Sequence, residues 1–284
     1  MMKKLIINAD DFALHPSINA AIVQAHREGI LTSASILATG KYLAEAVNLA
    51  KQNPKLSLGA HLCLVGGLQP VTDIKLIPSL VNSQTNCFYD NYMDFTKFYF
   101  LGKIKLAEIH LELANQVKLL LAHGISLSHL DSHQHLHVLP GINQIVINLA
   151  RDNCINKVRV PAENYFFSGE YPFTLGRFFG RGVLSAFAQS SAKHFSVAGI
   201  SYPQNFFGML AGGNLQEKYL FNILRNIEVG TNEIMIHPGL SSKILDKSFA
   251  WKYNWELEFQ ALMSKSLLAL IREMDIQLIS FKDL

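Results

Sequence analysis

Short apolar runs alternate with segments of helical three-four apolar spacing along almost the whole chain, and that alternation leaves few folds open. Residues 4 to 9 form an apolar run that leads into Asp10-Asp11-Phe12. Pro16 and Ser17 then open a helix with Ile18, Ala21, Ile22 and Ala25 on one face, stopped by Gly29. The unit repeats as a strand over 34–39, a helical stripe at Leu43, Ala46, Val47 and Ala50, and a strand over 56–64 that carries Gly59-Ala60-His61. Helical spacing resumes at Leu106, Ile109, Leu113, Val117 and Leu120, stops at His123-Gly124, and gives way to a strand over 125–131. Further stripes start at Ile142, Leu220 and Phe259, each followed by a strand, over 157–161, 232–236 and 277–281. Strands separated by helices pair in parallel, and this many units favour a closed or nearly closed, distorted (β/α) barrel over an open sheet.

At 284 residues and 49% hydrophobic content, the chain fits one domain of barrel size spanning 1–284. Two stretches interrupt the alternation: an irregular insertion at about 65–100 and an aromatic-rich segment at about 164–212. Lys and Arg number 25 against 22 Asp and Glu, which is no electrostatic footprint for nucleic acid. The apolar run after Lys3-Lys4 is too short for a secretory signal, and no segment has the length of a membrane span. Three separated cysteines suggest neither a disulfide framework nor a thiolate metal site. The expectation is a cytoplasmic protein, with a homodimer left open.

Between Ser128 and His137 the chain places four imidazoles (His129, His133, His135 and His137) and the carboxylate of Asp131. A His-rich solvated loop would look the same, so the ligands elsewhere decide. Asp10-Asp11, His61, the Asp131 to His133 region, Arg159 and His237 all fall at or near carboxyl ends of expected strands, which in a β/α barrel converge on one face. Adjacent carboxylates on a strand alternate faces unless the chain departs from it, and they suit different roles: one binds a metal while the other takes a proton. One carboxylate with two imidazoles leaves coordination positions for water and substrate, as hydrolysis requires. Nitrogen-rich ligation suits Zn2+ better than Mg2+, and one divalent ion of either kind is the expected cofactor.

The motifs Asn8-Ala9-Asp10-Asp11-Phe12, Gly59-Ala60-His61-Leu62, His129 to His137, Arg159-Val160-Pro161 and Ile236-His237-Pro238-Gly239 occur together and in order. In this combination the chain resembles the YdjC-like carbohydrate deacetylases, and within them the hopanoid-biosynthesis-associated branch. The family is similar in fold to the polysaccharide deacetylases. The resemblance implies that Asp11, His61 and His133 bind the metal, that Asp10 is the catalytic base, that Arg159 holds it, and that His237 is the general acid. Ala13 departs from the family pattern, which usually has Gly there; if that position needs positive φ, Ala is strained.

The activity implied is metal-dependent hydrolysis of the N-acetyl group of an amino sugar, either an oligosaccharide or a lipid-linked glycoside. Asp10 takes the proton of the attacking water and protonated His237 supplies the departing amine. Hydrolysis of a phosphoester or glycosidic bond fits the same ligands, and a non-catalytic metal-binding protein leaves the free carboxylate without a purpose. Twelve aromatics lie between Tyr165 and Phe207, with Arg177 and Arg181 among them. They read as helices packed outside the barrel, or as an apolar approach for a lipid-linked substrate with peripheral membrane contact.

Overall fold

The computed structural model describes residues 2–172 and 175–284, without the side chains of Leu175, Arg177 and Phe178. The chain runs β1 (Lys3–Phe12), α1 (Pro16–Glu28), β2 (Ser33–Ile36), α2 (Leu43–Gln52) and β3 (Ser57–Leu62). It continues through α3 (Tyr92–Phe100), α4 (Leu106–Ala122), β4 (Leu127–Ser132), α5 (Ile142–Asp152), α6 (Leu175–Val197) and β5 (Asn205–Phe207). The last third holds α7 (Glu217–Asn226), β6 (Gly230–Ile236), α8 (Ser242–Leu245), α9 (Trp255–Leu262), α10 (Lys265–Glu273) and β7 (Ile276–Leu278).

All strand pairs are parallel, in the order β4-β3-β2-β1-β6-β5, with β7 paired to the start of β1. Isolated parallel bridges Leu130↔Val158, Lys157↔Ser201 and Glu163↔Phe206 carry the curl from β4 round to β5, so the sheet bends into the expected distorted barrel. The strand expected over 157–161 is this bridging segment. It bonds to β4 and to Ser201 for only a few residues, and Pro161 has no N–H to extend the ladder.

Other differences have local causes. The expected last helix is two, because Ser264 accepts the Leu267 N–H and starts α10 afresh. The irregular stretch ends in α3, capped by the Asn91 side chain on the Asp94 N–H. The aromatic segment holds α6 and the three-residue β5, where Gly176, Gly180 and Gly182 dilute the helical pattern. Among the described residues no helix is long and apolar enough to cross a membrane.

Outward-facing Leu5, Ile7 and Ala9 of β1 join the core under the helices, whereas Ile6 meets Ile279 and Phe281. Phe281 is fully buried and its ring lies 3.6 Å from that of His129, so it forms the floor beneath the polar side chains. Gly59 makes room there: a Cβ at 59 would stand 2.4 Å from the His129 ring. Above this floor the inward positions are polar and buried, with Asn8, Asp10, Ser35, His61, Asp131, Arg159 and Glu233 stacked toward the carboxyl ends. A barrel lined this way ties most of its polar atoms to one another, and those left without a partner, Asn8 Oδ1, Glu233 Oε2 and both Asp11 oxygens, stand out.

Candidate active site

The two acids of β1 reach one centre through a break in the strand. Asn8 and Ala9 pair in register with Ser33 and Ala34, but Phe12 pairs with Ile36, so β1 carries one extra residue between them. At this bulge Asp11 adopts φ 67 and Ala13 φ 85. The side-chain alternation that would send Asp10 and Asp11 to opposite faces is thereby broken, and both carboxylates lie near His61 Nε2, at 3.9 Å for Asp10 and 3.5 Å for Asp11. Ala13 does occupy a left-handed position, where a side chain costs about 1–2 kcal/mol. Its neighbour Gly40 is needed for the close approach, since a Cβ at 40 would lie 2.5 Å from the Ala13 carbonyl oxygen.

Asp10 is held from below. Arg159 donates Nη1 to its Oδ2 at 2.7 Å and Nη2 to its Oδ1 at 2.8 Å, and Asn8 donates to Oδ1 at 2.9 Å. A carboxylate offers roughly four lone-pair positions, so Oδ2 keeps one free to receive a proton. The same guanidinium contacts Asp131 Oδ2 at 2.8 Å and donates Nε to Glu233 Oε1 at 2.7 Å. Burial alone would lower the Arg159 pKa; Asp10, Asp131 and Glu233 push it well above its ordinary value. Burial carries Glu233 the other way, up to about 7 against the opposing pull of Arg159.

Asp11, His61 and His133 present ligand atoms that all lie within 4.8 Å of one another, and all three are buried. His133 Nδ1 stands 3.1 Å from Asp11 Oδ1. Even so, both Asp11 oxygens, fully buried, accept no hydrogen bond. Burial would raise the Asp11 pKa, but the imidazoles of His133 and His61 hold it well below the usual carboxylate range. For His61 burial acts downward, while Asp131, Asp10 and Asp11 push it up to about 10. Three buried acids (Asp10, Asp131 and Glu233) contact one guanidinium and a fourth, Asp11, lies against His61 and His133, so acids outnumber fixed cations and the site suits a further cation. A divalent ion fits that demand and the two unpartnered Asp11 oxygens. Asp10, His61 and Asp131 also cluster, but both acids already share the Arg159 guanidinium.

His237 follows β6 directly, and Ala9 pairs with Ile236, so His237 stands beside Asp10. It is buried, and burial lowers its pKa while Asp10 and Asp11 act in the opposite sense. Glu258 of α9 fixes this turn: it accepts from the His237 N–H, accepts from the Leu215 N–H at 2.7 Å, and lies 3.9 Å from His237 Nδ1.

The remaining imidazoles support the frame. His129 lies between Ser128 and Ser35 hydroxyls, and burial lowers its pKa to about 3. His137 links Ser132 Oγ at 2.6 Å with the Arg159 carbonyl at 3.0 Å, and burial lowers it to about 4. His135 is buried against Phe206 with Nδ1 unpartnered, and both it and Gln134 have positive φ, 59 and 55. Two left-handed residues in succession turn the chain sharply after His133. Asp131 holds His61, with Oδ1 2.9 Å from Nδ1.

The fold brings together the six residues expected from the sequence, Asp10, Asp11, His61, His133, Arg159 and His237, and adds Asn8 as a partner of Asp10, Ser35, Glu233 and Glu258, which were not among those expected. Glu233 left a signal, a lone acid inside the apolar strand Glu233-Ile234-Met235-Ile236. A cavity of about 1000 Å3 opens between residues 163–167, α6 and β5, but none of the six residues lines it.

The chain is 29% identical over 284 residues to a carbohydrate deacetylase of Clostridium beijerinckii, covering 99% of this chain and 100% of that protein. It is 30% identical over 282 residues to a carbohydrate deacetylase of Brevibacillus brevis, covering 99% of each. A carbohydrate deacetylase of Xenopus laevis matches at 29% over 257 residues, 84% of this chain and 82% of that one. A crystal structure from Enterococcus faecalis, described as a candidate cellobiose-phosphate cleavage protein, superposes with a TM-score of 0.79 at 22% identity, covering 100% and 99% of the two chains. That likeness shows the barrel fold. The family described as YdjC-like protein matches residues 4–273, and the chain belongs to it.

Proposed function

We propose that this protein is a metal-dependent deacetylase that hydrolyses the N-acetyl group of an amino sugar, releasing acetate and a free amine. The observation that carries the reading is the pair at the β1 bulge: Asp11 unpartnered between two imidazoles, and Asp10 beside it clamped by Arg159 with one lone pair to spare. The relatives named carbohydrate deacetylases support the bond and the substrate class.

Asp11, His61 and His133 would hold a divalent ion, Zn2+ being favoured by two nitrogen donors. The ion supplies Lewis acidity toward a water and an amide carbonyl. Asp10 receives the proton of the attacking water on Oδ2, and Arg159 keeps that carboxylate aimed. Asp131 fixes the ring of His61 so that Nε2 faces Asp11. The amine must leave protonated: burial lowers the His237 pKa while Asp10 and Asp11 act against it, so the ring takes up the proton that Asp10 received from the water and passes it to the amine. The direct test is acetate release from acetylated amino sugars by metal-loaded protein, with phosphate and reducing-sugar release measured in parallel. Acetate alone supports the reading, and phosphate or reducing ends alone replace it with hydrolysis of another bond.

A lipid-linked amino sugar is the second reading, favoured by one surface. Tyr92 and Met93 are exposed at the start of α3, where the Tyr92 N–H bonds to Gln134 beside His133. Phe100 and Leu101 are exposed at its end, and the Phe100 ring stacks on Phe187 of α6. Phe166 and Phe179 beyond are 95% and 70% exposed. Exposed apolar side chains of this kind suit an acyl or isoprenoid aglycone. Failure to co-sediment with liposomes at low and high salt would remove this reading.

A further inference from the structure

A row of alternating aromatics, Phe249, Trp251, Tyr253 and Trp255, lies against the site in a stretch that is not a strand. Trp255 is buried in the core, while Phe249, Trp251 and Tyr253 are only half-buried. The row is fixed by its own contacts. Trp251 meets Phe249 at 5.0 Å, Tyr253 at 5.7 Å and Trp255 at 5.8 Å between ring centroids. It touches the site at two imidazoles: Trp251 is 5.2 Å from His133 and Tyr253 is 5.1 Å from His237. At the other end Phe249 meets His15, which meets Tyr42.

Burying an aromatic ring is strongly favourable, so three left partly open beside the two imidazoles, one on each side of the reacting centre, are costly unless something apolar covers them. A pyranose ring has the matching chemistry, with axial C–H faces that lie flat on an aromatic ring and hydroxyl edges that remain in water. We propose that Trp251 is the platform on which the sugar ring stacks, and that it determines specificity by turning the acetamido group toward Asp11, His61 and His133. Its neighbours hold the indole in place before substrate arrives, so little side-chain order is lost on binding. Tyr253, packed on His237, borders the same sugar on the leaving-amine side. This assignment rests on the amino-sugar reading above.

Two substitutions separate stacking from simple packing: Trp251→Phe keeps an aromatic face, and Trp251→Leu keeps apolar bulk without one. Affinity for N-acetylglucosamine and for glucosamine is measured by calorimetry on metal-loaded protein, together with KM and kcat for acetate release and with kcat/KM for p-nitrophenyl acetate, which has no sugar. Trp251→Phe is expected to bind within about threefold of the parent and Trp251→Leu at least about tenfold more weakly, through KM rather than kcat. Trp251→Leu also loses ring contacts with Phe249, Tyr253 and Trp255, so its melting temperature should fall, and the platform is read from a loss in sugar affinity larger than any loss in kcat/KM for p-nitrophenyl acetate. Equal sugar affinity of Trp251→Leu and the parent, or a tenfold loss shared by p-nitrophenyl acetate, overturns the platform while leaving deacetylation untouched. Sugar binding that depends on Trp251 without any acetate release keeps the platform and sinks the deacetylase reading. No binding of either sugar by the parent sinks both.

Discussion

Asp131 Oδ1 and His61 Nδ1 meet at 2.9 Å, and this one contact decides which nitrogen of His61 faces Asp11. The other Asp131 oxygen accepts from Ser35 at 2.7 Å and contacts Arg159, so the acid ties the frame beneath Asp10 to the ring above it. Asp131→Asn is expected to lower metal affinity by about 10- to 100-fold. It also costs stability by weakening a buried ion pair, about 3 kcal/mol or more. Metal titration and urea unfolding read the two effects separately.

The adjacent acids should fail in different ways. Asp10→Asn keeps the bound metal and loses about 100- to 10,000-fold in kcat, whereas Asp11→Asn loses the metal first. Metal content by elemental analysis beside acetate release distinguishes them. Full activity of Asp10→Asn would show that another group accepts the proton.

Chelation should abolish turnover and also change stability. With the cation gone, the four buried acids keep only Arg159 and protonated His61 as counter-charges, so the melting temperature falls on chelation and recovers with Zn2+. A melting temperature unaffected by both treatments argues against an ion in this place.

Two buried imidazoles should make acid destabilising, with Glu233, raised to about 7 and favouring the folded state as it protonates, acting against them. His129 and His137 have folded pKa values of about 3 and about 4, below the ordinary 6.5, so the unfolded chain binds their protons first. Their contribution is complete above about pH 6.5 and declines as pH falls toward 4, at about 1.4 kcal/mol per pH unit for each ring. Urea midpoints between pH 7 and pH 4.5 test this, and His137→Gln should show a slope shallower by about one proton.

The bulge makes its own prediction. Gly40→Ala places a methyl 2.5 Å from the Ala13 carbonyl oxygen and should cost about 1–3 kcal/mol with loss of activity. Ala13→Gly relieves the positive φ but frees the unfolded chain, so its stability should stay within about 1 kcal/mol of the parent. Thermal melts of both variants provide the check.

Much of this was legible because period and position carry it. The helices with strong three-four spacing, such as α1, α4 and α5, and the acids and imidazoles at strand ends stand out in the linear chain. What escaped depends on contacts between distant segments. Glu233 becomes meaningful only when β6 lies beside β1 and Arg159 reaches across the barrel. Glu258 sits on a helix face with no sign that its carboxylate reaches the backbone of His237 and Leu215. The short β5 escaped because its three residues pair only when the strand-helix units on either side are in place, and the bulge at Asp10-Asp11 because register is a property of two strands.

β1 pairs with β6 from Lys3↔Gly230 to Ala9↔Ile236 and with β7 at Lys3↔Ile276. The loop such pairings close spans most of the chain, and contacts of that separation form slowly because the intervening segments must first be ordered. Asp10 and Asp11 therefore gain their full surroundings late in folding. β1 is central in the sheet, so its pairing with β6 joins the two halves of the barrel, and the same event that joins them brings His237 beside Asp10.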